Sequence, residues 1–204
     1  MKIITISREF GSGGRELGKR LAAALDIPCY DHKIIELIAK EHGFDEQYVA
    51  NVSEKSIEAA YPMTIGCQFL VPPIQLMDQP IRVASAQRKI IENFAERSDC
   101  VIVGRAADAI LEKQHPMNLF VYADLDARIL RCQERAPEGE DLSQNEMARM
   151  IRQIDRQRSQ YHQMYSDEKW GAKESYHLCV NTSGREIKTL IPGLVAYVRA
   201  WFGE

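Results

Sequence analysis

The stretch that most constrains this chain is Ile3-Ile4-Thr5-Ile6 followed by SREFGSGGRELGKRL. A short apolar run enters three glycines (Gly11, Gly13 and Gly14), after which Leu17, Leu21, Ala24 and Leu25 recur at helical spacing. A strand that feeds a glycine turn and then a helix points backbone N–H groups at whatever lies before the helix. That is how phosphates are cradled. With Gly14 set on the last glycine of the G-x-x-x-x-G-K-[ST] pattern, Glu9 stands for the first glycine, Arg15 for the lysine and Glu16 for the hydroxyl residue. Arg15 keeps the charge and offers a bidentate fork instead of a point charge. Glu16 either ligates magnesium, directly or through water, or serves as the acidic partner of the helix dipole. Ser12 is an alternative hydroxyl in the same loop.

Alternation of strand-like and helix-like runs continues along the chain. Strands are expected at Lys2–Ser7, Ile27–Tyr30, Cys100–Gly104, Asn118–Tyr122 and His177–Asn181. Helices are expected at Gly14–Leu25, His32–Glu41, Pro80–Glu96, Ala106–Lys113, Asp126–Glu134, Ser143–Tyr165 and Arg185–Trp201. This order predicts a three-layer α/β fold, with a five-stranded parallel sheet covered by helices on both faces. A length of 204 residues fits a single domain. Two stretches interrupt the alternation. Ser53–Asp78 is long and partly apolar, and packs either against a second copy of the chain or back on its own core. Ala136–Asp141 is a charged turn between helices, either a lid hinge or a plain connection.

A formal charge of −3 provides no global attraction for nucleic acid or an anionic membrane, so anion binding must come from local arginines. No apolar run reaches the roughly 18 residues a membrane span needs, and the charged start is not a signal peptide, so a cytoplasmic location is expected. Five cysteines without C-x-x-C spacing read as buried thiols, and five histidines without ligand spacing read as ordinary.

Seven arginines and no lysine lie between Arg128 and Arg158, a bias that favours planar recognition of phosphate over a merely solvated face. On the helix Ser143–Tyr165, Met147, Met150, Ile151, Ile154, Tyr161 and Tyr165 form one stripe. Arg149, Arg152 and Arg156 project to the opposite side, whereas Arg158 falls within the stripe and Asp155 at its edge. An inward charge must be paired or must serve a site, so Arg158 is either half of a structural pair with Asp155 or a residue acting on substrate. Arg105 follows a strand at its carboxyl end, where open α/β sheets bind ligands.

Several segments resemble a known family. CVIVGRAADAIL (Cys100–Leu111) resembles the strand and G-R-D of bacterial cytidylate kinases, and FVYADLDARILRCQER (Phe120–Arg135) the strand and helix before their lid. DRQRSQY (Asp155–Tyr161) is similar to their D-R-x-R segment, and CVNTSG (Cys179–Gly184) to their last strand. SREFGSGGRE matches the cytidylate kinase-like branch of the P-loop nucleoside monophosphate kinases better than cytidylate kinase proper. The resemblance implies ATP, Mg2+ and transfer of the γ-phosphoryl group to a nucleoside monophosphate such as CMP. It places ATP on Gly11, Ser12, Gly13, Gly14, Arg15, Glu16, Leu17 and Thr182, and the acceptor on Asp31, Lys33, Arg105, Asp155 and Arg158. Arg15, Arg131, Arg156, Arg158 and Asp155 would carry catalysis, with a lid over about 131–158 and Glu16 on the metal. Two departures stand out. The acid after Gly-Arg is Ala106, and the acceptor segment Asp31–Leu37 lacks the family's arginine. The functions left open are a nucleoside monophosphate kinase, a nucleotide-binding regulator without turnover, and a kinase for another small acceptor.

Overall fold

The computed structural model describes residues 1–43, 46, 49, 74–136 and 142–204, and for 32–33, 41–42 and 74–80 the backbone alone. The elements in chain order are β1 (Ile3–Arg8), α1 (Gly14–Leu25), β2 (Cys29–Tyr30), α2 (His32–His42) and α3 (Ile74–Arg97). They continue with β3 (Cys100–Val103), α4 (Ala107–Ile110), β4 (Met117–Tyr122), α5 (Leu125–Gln133), α6 (Gln144–Gln163), β5 (Leu178–Asn181) and α7 (Ile187–Phe202). All strand pairs are parallel, in the order β2-β3-β1-β4-β5. The five-stranded sheet expected from the alternation is therefore present.

Successive strand residues face opposite sides of the sheet, and this splits the core in two. Ile4, Ile6, Val101, Val103, Leu119 and Val121 pack with Leu17 and Leu21 of α1 and with Ile191, Leu194 and Val198 of α7. Ile3, Cys100 and Ile102 face Ile34 and Ile38 of α2 and Ile90, Ile91 and Phe94 of α3. Leu17 and Leu21 are fully buried, each contributing about 1.5–3 kcal/mol. Their burial fixes α1 by its back face, so the first turn of that helix points reliably at the loop before it.

Helix α3 is described from Ile74, six residues before Pro80, where the sequence pattern places its start. The expected helix Ala106–Lys113 is broken into α4 and a short 3-10 turn, Glu112–Gln114. Helix α6 starts where expected, because Ser143 and Glu146 form a reciprocal capping box. The proposed contact surface at Ser53–Asp78 lies outside the described residues over 53–73, and the charged turn lies outside them over 137–141. Among the described residues no helix is long and apolar enough to cross a membrane.

Candidate active site

Strand β1 delivers the loop 9–13 to the carboxyl edge of the sheet, and α1 starts at Gly14 with Gly13 as its cap residue. Gly11 and Gly13 adopt φ of 76° and 80°, which side-chain-bearing residues rarely do. A Cβ on Gly13 would also lie 2.7 Å from Ile187 Cδ1, and one on Gly11 3.0 Å from the Arg128 carbonyl oxygen. The first intrahelical bond runs from Leu17 N–H to Gly13 O, at 2.9 Å. The amides of Gly14, Arg15 and Glu16 thus precede it and have no acceptor within the helix, as a group of donors at its N-terminus.

Behind the loop stands a network of charge built on one buried arginine. Arg128 of α5, with 8% of its side chain exposed, reaches Glu9 Oε2 at 3.1 Å and Asp155 Oδ2 at 2.6 Å through one nitrogen. Asp155 Oδ1 accepts the Phe10 amide at 2.7 Å, and Glu9 Oε2 accepts the Ala123 amide at 3.1 Å. Burial raises the Glu9 carboxyl above its usual range, against the lowering effect of the Ala123 amide and of Arg128. Glu9, where the usual pattern has glycine, is therefore a strut of the loop, and Asp155 ties α6 to it.

A second set of bonds ties the loop to β5. Arg131 donates to Gly11 O at 2.7 Å and to Thr182 O at 3.2 Å, while Thr182 Oγ1 donates to Ser12 O at 2.7 Å. Burial, and then the charge of Arg135, lower the pKa of Arg131, against the opposing charges of Glu16 and Glu134.

The cleft in front of the loop has a volume of about 380 Å³ and is lined by six arginines: Arg8, Arg15, Arg105, Arg131, Arg135 and Arg158. Asp31, nearly buried, also lines it and ion-pairs with Arg15. Arg158 donates to Arg8 O at 3.1 Å, and its guanidinium lies 5.6 Å from the centre of the Phe10 ring. Arg105 is 6% exposed and sits in a run of left-handed residues, with φ of 75° at Gly104, 65° at Arg105 and 50° at Ala106. The two non-glycine residues each cost about 1–3 kcal/mol there, and such strain persists only where the surroundings hold it. It turns the Arg105 side chain into the cleft rather than out along α4.

The sequence-predicted residues separate into groups. Gly11, Gly13, Gly14, Arg15, Asp31, Arg105, Arg131 and Arg158 line the cleft together. Ser12 is buried and donates to Glu9 O at 2.8 Å, Leu17 lies in the core, and Thr182 is a buried tie. Arg156 is exposed on the outer face of α6, as are Arg149 and Arg152. Glu16 bonds to Arg20 at 2.8 Å and to Arg135; although burial opposes its charge, these two arginines outweigh it and lower its pKa. The Lys33 side chain lies outside what the structure describes. Reading the sequence missed Arg8 and Arg128. Arg8 ends a parallel strand just as Arg105 follows one, so the same rule would have found it. Among the described residues no cluster of three acidic, histidine or cysteine side chains is placed to hold a metal ion.

A phosphate loop after the central strand of this sheet, opening onto an arginine-lined cleft at the strands' carboxyl ends, defines a P-loop kinase fold. The chain belongs to the cytidylate kinase-like family, whose model matches residues 3–184. Among solved structures, it is similar to an uncharacterized protein from Eubacterium ventriosum ATCC 27560, at 25% identity over 98% of this chain and 99% of that one, with a TM-score of 0.69. Shikimate kinase from Bacteroides thetaiotaomicron shares the fold at 15% identity, covering 100% and 99% of the two chains with a TM-score of 0.58. A gluconokinase from Sinorhizobium meliloti 1021 does so at 14% identity, covering 98% and 93% with a TM-score of 0.54. Among curated proteins, none matches.

Proposed function

We propose that this protein is an ATP-dependent phosphotransferase whose acceptor is a small phosphorylated molecule, with nucleoside monophosphates the first class to test. The observation that carries this reading is one cleft lined both by the phosphate loop (Gly11, Gly13, Gly14, Arg15) and by Arg8, Arg105 and Arg158. Phosphoryl transfer depends mainly on positioning and on neutralising charge, and guanidiniums on both sides of the transferred group supply both. An acceptor phosphate is already nucleophilic near neutral pH, so the site needs no strong base.

The residues fit a polyphosphate. The Gly14–Glu16 amides would hold it, with Arg15 beside them, and the adjoining groove of about 520 Å³ between Leu130, Arg131 and 184–188 would take the nucleoside. ATP supplies the transferable phosphoryl group when bound, with Mg2+ offsetting its charge. Single carboxylates, Asp31 or Glu16, suit an ion held chiefly by phosphate oxygens and water. Within the lid proposed over about 131–158, α6 is moored to the phosphate loop through Asp155, which accepts the Phe10 amide.

Coupled ADP release, measured with Mg-ATP and a panel of nucleoside monophosphates, is expected to show turnover with at least one of them. Tight ATP binding with no turnover on any acceptor would make the protein a nucleotide-binding regulator instead. Absence of both heat and thermal shift at millimolar Mg-ATP would remove the phosphate-loop assignment. Arg15→Ala is expected to weaken ATP binding by about 1.5–3 kcal/mol, roughly ten- to hundredfold in Kd, through loss of one charge-assisted contact. Unchanged calorimetric affinity would mean that Arg15 serves only Asp31.

A further inference from the structure

The acid that follows Gly-Arg in cytidylate kinases is Ala106 here, yet a carboxylate stands two residues further on. Asp108, in the first turn of α4, is 7% exposed and its Oδ2 lies 2.9 Å from His162 Nε2 in the last turn of α6. Ser7 Oγ, at the end of β1, donates to the same oxygen at 3.4 Å. His162 is 4% exposed, so the histidine that looked ordinary in the sequence is part of a buried pair. Its ring also lines a chamber of about 20 Å³, room for about one water, whose other walls include Ser7, Arg8, Arg105 and Arg158. Three of the arginines at the acceptor end of the cleft therefore border the space that His162 closes.

We propose that Asp108 and His162 are positioning residues for the acceptor clamp, holding the left-handed turn 104–106 so that Arg105 meets the acceptor's anionic group. This rests on the phosphotransferase reading. The turn needs an outside hold, because α4 is only four residues long and cannot keep two non-glycine residues in that conformation by itself. The Asp108 carboxylate fastens α4 to both β1 and α6 directly after the turn. Stability alone does not account for the pair, since a buried carboxylate and imidazole stabilise poorly compared with apolar residues of the same size. Both Asp108 Oδ1 and His162 Nδ1 are buried without a hydrogen-bond partner among the described residues, which a plain strut would avoid. The pair acts on the acceptor through Arg105 and does not touch the reacting atoms.

The test uses the full chain with His162→Phe, His162→Gln and Asp108→Asn. Glutamine places an N–H where Nε2 stood, and asparagine keeps the acceptor oxygen without its charge. In His162→Phe, the acceptor KM is expected to rise at least tenfold with ATP affinity within twofold of wild type, and His162→Gln is expected to recover most of that loss. Acceptor KM and kcat at wild-type values in a folded His162→Phe protein would overturn the proposal and leave a structural strut. Inorganic phosphate provides a readout that does not depend on turnover. Its binding is followed by NMR on the Arg105 Nε–H resonance, assigned with Arg105→Lys. Asp108→Asn is expected to shift that resonance in the free protein and to weaken phosphate binding at least fivefold. An unchanged resonance and affinity would overturn the proposal even if no acceptor were turned over. A changed resonance and weakened phosphate binding in a protein that turns over nothing would uphold the hold of Asp108 and His162 on Arg105 while removing the phosphotransferase reading and, with it, the acceptor as the anion that Arg105 meets.

Discussion

Arg158→Ala is expected to lower turnover by about two to three orders of magnitude while leaving ATP affinity nearly unchanged. The side chain comes from the apolar stripe of α6, donates to Arg8 O at 3.1 Å and lines the same cleft as the phosphate loop. A guanidinium there neutralises charge that grows as the phosphoryl group moves, so its removal is felt mainly in the transition state. The structure also bears on the alternative, a purely structural pair with Asp155. Asp155 is engaged by Arg128 at 2.6 Å and by the Phe10 amide at 2.7 Å. Removing Arg158 therefore leaves that carboxylate with charged and amide partners, and the melting temperature should stay close to wild type. A mutant with full turnover and a lowered melting temperature would contradict both statements at once. Arg158→Lys is expected to recover part of the rate, since it restores the charge without the planar fork.

What the sequence discloses here follows from how local each feature is. Helix α1 and its loop are legible because a strand, three glycines and an amphipathic repeat lie within about two dozen residues. The projection of α6 is equally local, and it correctly separates the wet Arg149, Arg152 and Arg156 from the inward Arg158. Partner choice is not local. Arg128 is one arginine in a run of similar ones, and nothing in its period says that it meets Glu9 and Asp155, the latter bound to an amide 145 residues away. The run at Gly104–Ala106 is hidden for a different reason. Left-handed backbone is readable where glycine marks it, whereas Arg105 and Ala106 take it up because tertiary contacts hold them there. Asp108 is hidden in the sequence because the motif's acid is expected at position 106, while the fold buries the carboxylate two residues later, in the first turn of α4.

Arg128→Ala is expected to be the most destabilising single change considered, at roughly 3 kcal/mol, because it takes the shared guanidinium from two partly buried carboxylates and leaves each with one amide donor. In a chain of this size that corresponds to a melting temperature lower by about 10 °C. The deficit should depend on pH, and the sign follows from Glu9. Its carboxyl in the folded protein titrates above the ordinary value of 4.5, chiefly because it is buried, while the Ala123 amide and Arg128 restrain the rise. Just above 4.5 the folded state thus holds more protons than the unfolded one, and this contribution to stability is lost as pH rises through the folded pKa. Removing Arg128 takes away one of the restraining groups, moves the folded pKa further up and extends the losing window towards neutrality. The gap between mutant and wild-type melting temperatures should accordingly be smallest near pH 5 and widest near pH 7.5. Glu9→Gln in the Arg128→Ala background should flatten that dependence, because the titrating group is gone. A gap that is constant with pH would show that Glu9 is not the carboxylate left exposed to the loss, and a mutant as stable as wild type would show that the network behind the phosphate loop does not bear on folding. Because Asp155 also holds the Phe10 amide, the same mutant should bind ATP more weakly, which links the strut behind the loop to the function in front of it.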